Sequence, residues 1–401
     1  MNNNKNNFFT FFCLYIAQQI PMSFFATIIP VIMRQEKFSL SAISSTVVLL
    51  KLPWILKFLW SPVVDRFNVT VKDYKRWIIL SELVFAVFIF SVAFFDLLSG
   101  LYIIVALLVI SSVASATQDI ATDALATQAF DRKSKSMVNS MQSMGRFGGA
   151  MIGSGILLLF FERIGWGKMT PLLALFVILA LVPFYFNRGL TINREHSVAK
   201  RVKMEDTFRF FTQRGISKQV GFLATFYISM IGIVAMLSPY LVDLGYDMKQ
   251  ISLIRGFFGP AVGVVASFSG GLIVRKIGHY YSRILFAVLG LITTLYFFLM
   301  SMNPHPQMLF LYIGVFLLWG TYAMATVLVY TLSMNRARKG KEGTDFTVQI
   351  VLAQLSGMLA VMLSGKIAHN YGYGKLFLFE LGLACIALIY VLIFYRKKEN
   401  Q

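Results

Sequence analysis

The chain has 401 residues, 57% of them hydrophobic and 15% aromatic, with a mean hydropathy of +0.69. That is too apolar for a soluble domain of this length. Its net charge of +19 does not mark a nucleic-acid binder, because the basic residues flank apolar stretches instead of clustering.

Twelve stretches approach or exceed the roughly 20 apolar residues of a membrane-spanning helix. They fall at 8–33, 40–64, 76–96, 101–129, 136–161, 170–187, 216–242, 250–274, 283–301, 307–334, 344–368 and 375–395. The predicted fold is an all-α membrane bundle of two six-helix halves, 1–187 and 216–401, joined by a linker over 188–215. The linker is polar, with Asn193, Arg194, Glu195, His196, Lys200, Arg201, Lys203, Glu205 and Asp206. Phe208, Phe210 and Phe211 give its end an amphipathic character that suits a membrane surface. Of the 37 Lys and Arg residues, with those near a span end counted in the adjoining connection, 26 lie at the termini and in every second connection, 7 in the opposite connections and 4 well within helices. Basic residues stay cytoplasmic, so both termini are expected there. The polar start, Met1 to Asn7, runs straight into a full span, and no cleavable signal peptide is expected.

Polar residues inside the spans mark the functional surface. The first helix offers Tyr15, Gln18 and Gln19 as candidate substrate contacts, with Ser23, around Pro21. The second carries Lys51, Trp54, Lys57 and Trp60; Lys51 and Trp54 are candidate substrate contacts, and Lys57 either joins a charge network or snorkels to the surface. In the fourth, Ser112, Ser115, Asp119, Thr122 and Asp123 follow three- and four-residue steps and form one stripe. Carboxylates at i and i+4 stand about 6 Å apart. In a poorly solvated place both cannot ionise cheaply. The pair is either a proton carrier or a structural ion pair held by Lys57 or Arg146.

The fifth helix aligns Asn139, Gln142, Ser143 and Arg146, and its Gly145, Gly149 and Gly153 suit close packing against a neighbour. Arg146 is permanently charged and deep in its span, so it needs an anion. Gln142 is a further candidate substrate contact, as are Tyr227, Arg255 and Gln349 in the second half. Glu82 and Glu380 are placed within two turns of a membrane face. Cys13 and Cys385 both fall within helices, so no disulfide framework is expected. The four histidines are scattered, and no metal, cofactor or enzymatic chemistry is expected. With no phosphate-binding loop, transport driven by ATP is not expected either.

The halves repeat at an offset near 208. Pro30 matches Pro239, Pro53 matches Pro260, and Val64-Asp65-Arg66-Phe67 matches Val274-Arg275-Lys276-Ile277. Such repeats are usual in secondary transporters, whose substrate binds near the midplane.

Three blocks resemble the AmpG-like branch of the major facilitators. They are Leu56-Lys57-Phe58-Leu59-Trp60-Ser61-Pro62 with Asp65-Arg66, then Thr117-Gln118-Asp119-Ile120-Ala121-Thr122-Asp123, and the glycine run from Gly145 through Gly155 with Ile164-Gly165-Trp166. The resemblance implies a monomeric inner-membrane transporter with Asp65 and Arg66 in a gating motif. It implies proton-coupled import of a mid-sized solute of the anhydro-muropeptide or siderophore type, the latter as in RhtX/FptX-type permeases. Protons and membrane lipids are its other expected partners. Arg275 replaces the acidic residue expected in the second half, so the gating motif is asymmetric. An acetyl-CoA-type or lipid-like solute, or a membrane sensor on a transporter fold, is the alternative.

Overall fold

The computed structural model describes residues 2–97, 99–192, 202–304 and 306–395. The linker residues Asn193, Arg194, Glu195, His196, Lys200 and Arg201 lie outside them. Among the described residues, ten helices are long and apolar enough to cross a membrane. Eight of them are α1 (Asn6–Gln35), α2 (Ser41–Leu59), α3 (Val71–Phe94), α4 (Leu101–Ala129), α5 (Lys135–Phe161), α6 (Trp166–Phe186), α7 (Ile216–Asp243) and α10 (Met308–Arg336).

The other two, Lys249–Met300 and Glu342–Phe394, run 52 and 53 residues. At about 1.5 Å per residue, each is more than twice the roughly 30 Å hydrocarbon thickness. Each bends at one glycine: Gly278 has φ 79 and ψ 171, and Gly372 has φ 78 and ψ 172. Those angles are open almost only to glycine. The rods therefore divide into α8 (249–277) and α9 (279–300), and into α11 (342–371) and α12 (373–394), which completes twelve spans. Gly165, between α5 and α6, has nearly the same backbone, φ 75 and ψ 163. It occupies the place in the first half that Gly372 occupies in the second, so the repeat is written in the backbone too.

Three spans depart from the sequence reading. α3 begins at Val71, ahead of the predicted 76, because Thr70 and Asp73 form a capping box: Asp73 N–H donates to Thr70 Oγ1 and Thr70 N–H to Asp73 Oδ2. Its polar first turns hid that start. α2 ends at Leu59, short of the predicted 64: it tightens into a 3₁₀ turn over Lys57–Leu59, and a separate short helix, Ser61–Phe67, follows with Pro62 in its first turn. α7 breaks at Phe226 and Tyr227, which separate helices Ile216–Thr225 and Ile228–Asp243. Wider π-helical turns interrupt α5 at Met151–Ile156 and α8 at Ser252–Phe258.

The chain forms two compact units. One comprises Met1–Asp131, Gly145–Arg209 and Arg336–Val348; the other comprises Arg132–Met144, Phe210–Asn335 and Gln349–Gln401. The first unit is packed around Phe24, Phe25, Ile28 and Ile29 of α1, Phe85 and Ile89 of α3, Ile104 and Leu108 of α4, and Leu173 and Val177 of α6. Its outward faces are apolar as well, with Phe94 72% and Tyr102 82% exposed, and Val265 of the second unit is 70% exposed. Such surface is suited to lipid and not to water.

Candidate functional site

The glycine face of α5 positions the site in the first unit. A Cβ at Gly145 would lie 2.8 Å from the Tyr15 Cβ, one at Gly149 would lie 2.6 Å from the Gln19 Cβ, and one at Gly153 would strike the Ile20 carbonyl oxygen. Small residues thus seat α5 directly on α1. That contact carries Arg146 over the ring of Tyr15, with its guanidinium carbon 4.7 Å from the ring centroid.

Asp119 of α4 is bracketed by two cations. Lys57 Nζ lies 2.5 Å from Oδ2 and Arg146 Nη2 lies 3.5 Å from Oδ1. One turn further along α4, Asp123 Oδ1 accepts a hydrogen bond from the Tyr15 hydroxyl at 2.5 Å. Lys57, Asp119, Asp123 and Tyr15 are each no more than 1% exposed, while the Arg146 side chain is 22% exposed. Lys57 does not snorkel. The tightened final turn of α2 aims it at α4, where it also lies 5.1 Å from the Trp54 ring. The polar stripe is densely buried, and among the described residues Ser115 Oγ, Gln118 Nε2 and Thr122 Oγ1 have no hydrogen-bond partner, nor does Trp54 Nε1 on α2. Unsatisfied groups at this depth are costly, and their concentration here points to a polar function.

The other sequence candidates divide. Gln18 is bound to α4 through the Ser115 carbonyl and the Gln118 side chain, and Gln19 bonds Ser23 on its own helix. Lys51 is exposed on α2. In the second unit Gln142 is fully buried. Gln349 accepts a hydrogen bond from Gln219 and donates one to the Ser333 carbonyl. Tyr227, at the break in α7, packs edge-on to Tyr322. Arg255, in the π-helical turn of α8, donates to Ser238 Oγ at 2.7 Å.

Asp65 does something the sequence did not reveal. Its carboxylate accepts hydrogen bonds from the Gly343 N–H, the Thr344 N–H and the Thr344 hydroxyl, so it caps the first turn of α11. Burial pushes its carboxyl up to about 7, against those three bonds. Arg66, its neighbour, is exposed. In the same unit Arg338 pairs with Asp345, and Lys341 with Asp206 of the linker.

Glu82 corrects the sequence reading. With α3 starting at Val71, it lies near mid-span; it is 1% exposed, and among the described residues neither carboxyl oxygen has a hydrogen-bond partner. Glu380 is also buried and accepts from the Ser364 hydroxyl at 2.5 Å. Among the described residues no group of three His, Cys, Asp or Glu side chains is placed to hold a metal ion.

Twelve apolar helices among the described residues, in two repeated halves with ionisable groups buried among them, define a polytopic membrane protein of the secondary-transporter class. The chain belongs to the Major Facilitator Superfamily, whose sequence model matches residues 8–361. "Putative transporter AmpG 4" of Rickettsia felis is 23% identical over 410 residues, covering 98% of this chain and 97% of the relative. The "Anhydromuropeptide permease" of Escherichia coli K12 is 21% identical over 345 residues, covering 85% and 70%. The AmpG-type resemblance carried by α2, α4 and α5 is therefore found along most of the chain. Among solved structures, the human organic anion transporter MFSD10 (TETRAN) matches with a TM-score of 0.74 at 12% identity, covering 97% of this chain and 99% of that one. A bacterial homologue of the iron transporter ferroportin, in the outward-facing state with soaked iron, matches with a TM-score of 0.72 at 16% identity, covering 98% of each chain. Those likenesses show the fold. The family and its structural neighbours are transporters, not enzymes.

Proposed function

We propose that this protein is a proton-coupled importer of an anionic, mid-sized solute of the anhydro-muropeptide type, working by alternating access with both termini in the cytoplasm. Residues 1–187 and 216–401 are its two six-helix halves. Lys57, Asp119, Asp123, Arg146 and Tyr15 form its coupling network. The observation that carries the reading is the unequal setting of the two α4 aspartates. Asp119 is fixed between two cations, whereas Asp123 accepts a tyrosine hydroxyl. Asp119 is thus the permanent anion and Asp123 the group that gains and loses a proton.

The charge balance then links proton to solute. With Asp123 ionised, two cations face two anions and the cluster is neutral. With Asp123 protonated, the cluster carries one net positive charge, and an anionic solute is attracted to it. Proton binding and anion binding therefore favour each other, which is what symport requires. The name of the Escherichia coli relative, an anhydromuropeptide permease, supports the solute class.

The test is uptake of radiolabelled anhydro-N-acetylmuramyl tripeptide by proteoliposomes containing the purified protein. An imposed inward proton gradient should drive accumulation above equilibrium, and a protonophore should abolish it. Accumulation that ignores the proton gradient would overturn the coupling, and absence of any uptake would overturn the solute.

A further inference from the structure

We infer that Arg255 anchors the carboxylate of a ring-bearing solute, with an aromatic row formed by Trp319, Tyr322 and Tyr227 receiving its rings. This deepens the reading above and rests on it. The geometry sets Arg255 apart from the two cations of the first unit. Lys57 and Arg146 both have Asp119. Arg255 is half-buried, its hydrogen-bond partner is the neutral Ser238 hydroxyl, and no ion pair joins it to an acid among the described residues. A guanidinium has five N–H donors and cannot shed its charge. Half-buried in the second turn of α8, it is met by a neutral hydroxyl, which leaves its charge for an anion to balance.

The surroundings say what kind of anion. Arg255 lies within the π-helical turn Ser252–Phe258, a distortion that widens a helix and is frequent at functional sites. Gly259 follows one turn later, roughly 6 Å along the axis. The Trp319 indole lies directly on it, in space that any Cβ there would fill. The Trp319 ring packs 6.4 Å from that of Tyr322, which packs 5.8 Å from that of Tyr227. Tyr227 sits where α7 breaks, and non-helical backbone at membrane depth is tolerated where protein buries it or it lines a cavity. One cation followed by a row of rings fits a molecule with a carboxylate at one end and flat faces behind it. A phospholipid phosphate would satisfy the cation, but acyl chains have no use for the aromatic row.

The experiment titrates the full chain, in a nonionic detergent, with benzoate and with its neutral counterpart benzamide. The readout is Trp319 emission, isolated by difference from the Trp319→Phe variant. Benzoate should half-saturate the response at a concentration at least roughly tenfold below benzamide, the scale of a charge-assisted hydrogen-bonded pair. Arg255→Gln should reduce that preference to less than about twofold. Arg255→Lys, which keeps the charge but not the fork, should keep part of it, and it serves if the Gln variant does not fold. A preference for benzoate that survives Arg255→Gln, no response to benzoate in the unaltered protein, or a response only to added phosphatidylglycerol would each overturn the inference. An Arg255-dependent benzoate preference without muropeptide uptake would leave this anchor standing and remove the proposed solute. Muropeptide uptake without that preference would do the reverse.

Discussion

Replacing Lys57 by Met tests whether the Lys57–Asp119 pair holds the α2–α4 contact. Both side chains are essentially inaccessible, and the ammonium lies 2.5 Å from the carboxylate. Removing one member of a buried pair leaves the other charge uncompensated, which costs about 3–5 kcal/mol. Arg146, 3.5 Å from the other oxygen of Asp119, still neutralises part of that charge, so Lys57→Met belongs near the lower limit of this range. Asp119→Asn is the harsher change. It leaves Lys57 and Arg146 with only Asp123, one turn away, to offset two cations, and it belongs near the upper limit. Removing both charges in Lys57→Met/Asp119→Leu should restore most of the loss, because an apolar pair of similar volume is often as stable as a buried ion pair. The assay is thermal unfolding of the four purified proteins in one detergent at one protein concentration. The expected order of melting temperature is unaltered protein, double variant, Lys57→Met, Asp119→Asn. A double variant that melts below both single variants would refute the reasoning, since the charges would then not be compensating each other.

Two further changes test packing and capping. Gly153→Ala should lower the melting temperature, with a cost of about 1–3 kcal/mol, because its methyl group meets the α1 backbone at Ile20; Gly167→Ala, with nothing within 4 Å of the new atom, should be neutral or slightly stabilising. The Asp65 carboxyl is raised to about 7 from an ordinary 3.8, so its contribution to stability is complete below about pH 4 and is lost as pH rises through about 7. Asp65→Asn should therefore flatten the fall in melting temperature between about pH 4 and 7, and equal slopes in the two proteins would exclude Asp65 as the source.

The fold was legible because hydrophobic length and the sidedness of Lys and Arg are one-dimensional signals. So was the glycine face of α5, where Gly145, Gly149 and Gly153 recur every fourth residue and do seat α1. The α4 stripe was legible for the same reason, since helical spacing alone puts Asp119 and Asp123 on one face. Their partners were harder. Lys57 and Arg146 were named because deep cations need anions, but Tyr15 was read as a substrate contact and lies on Asp123. The Asp65 cap joins residues far apart in sequence, and no local spacing encodes it. Glu82 was misplaced in depth because apolar counting misses a helix start made of a capping box and charged turns. The Phe226–Tyr227 break has no proline or glycine to announce it.

The central claim is that the α4 carboxylates couple protons to solute movement. It is tested most directly by measuring accumulation and exchange of labelled anhydro-N-acetylmuramyl tripeptide in proteoliposomes, for the unaltered protein, Asp119→Asn and Asp123→Asn. Asp123→Asn keeps shape and an acceptor for the Tyr15 hydroxyl but removes the proton site. The expected result is loss of gradient-driven accumulation with exchange retained, because exchange needs no net proton movement. Asp119→Asn should impair both, since it dismantles the cation bracket. If Asp123→Asn still concentrates the solute in response to an imposed proton gradient, Asp123 is not the carrier, and the cluster is structural.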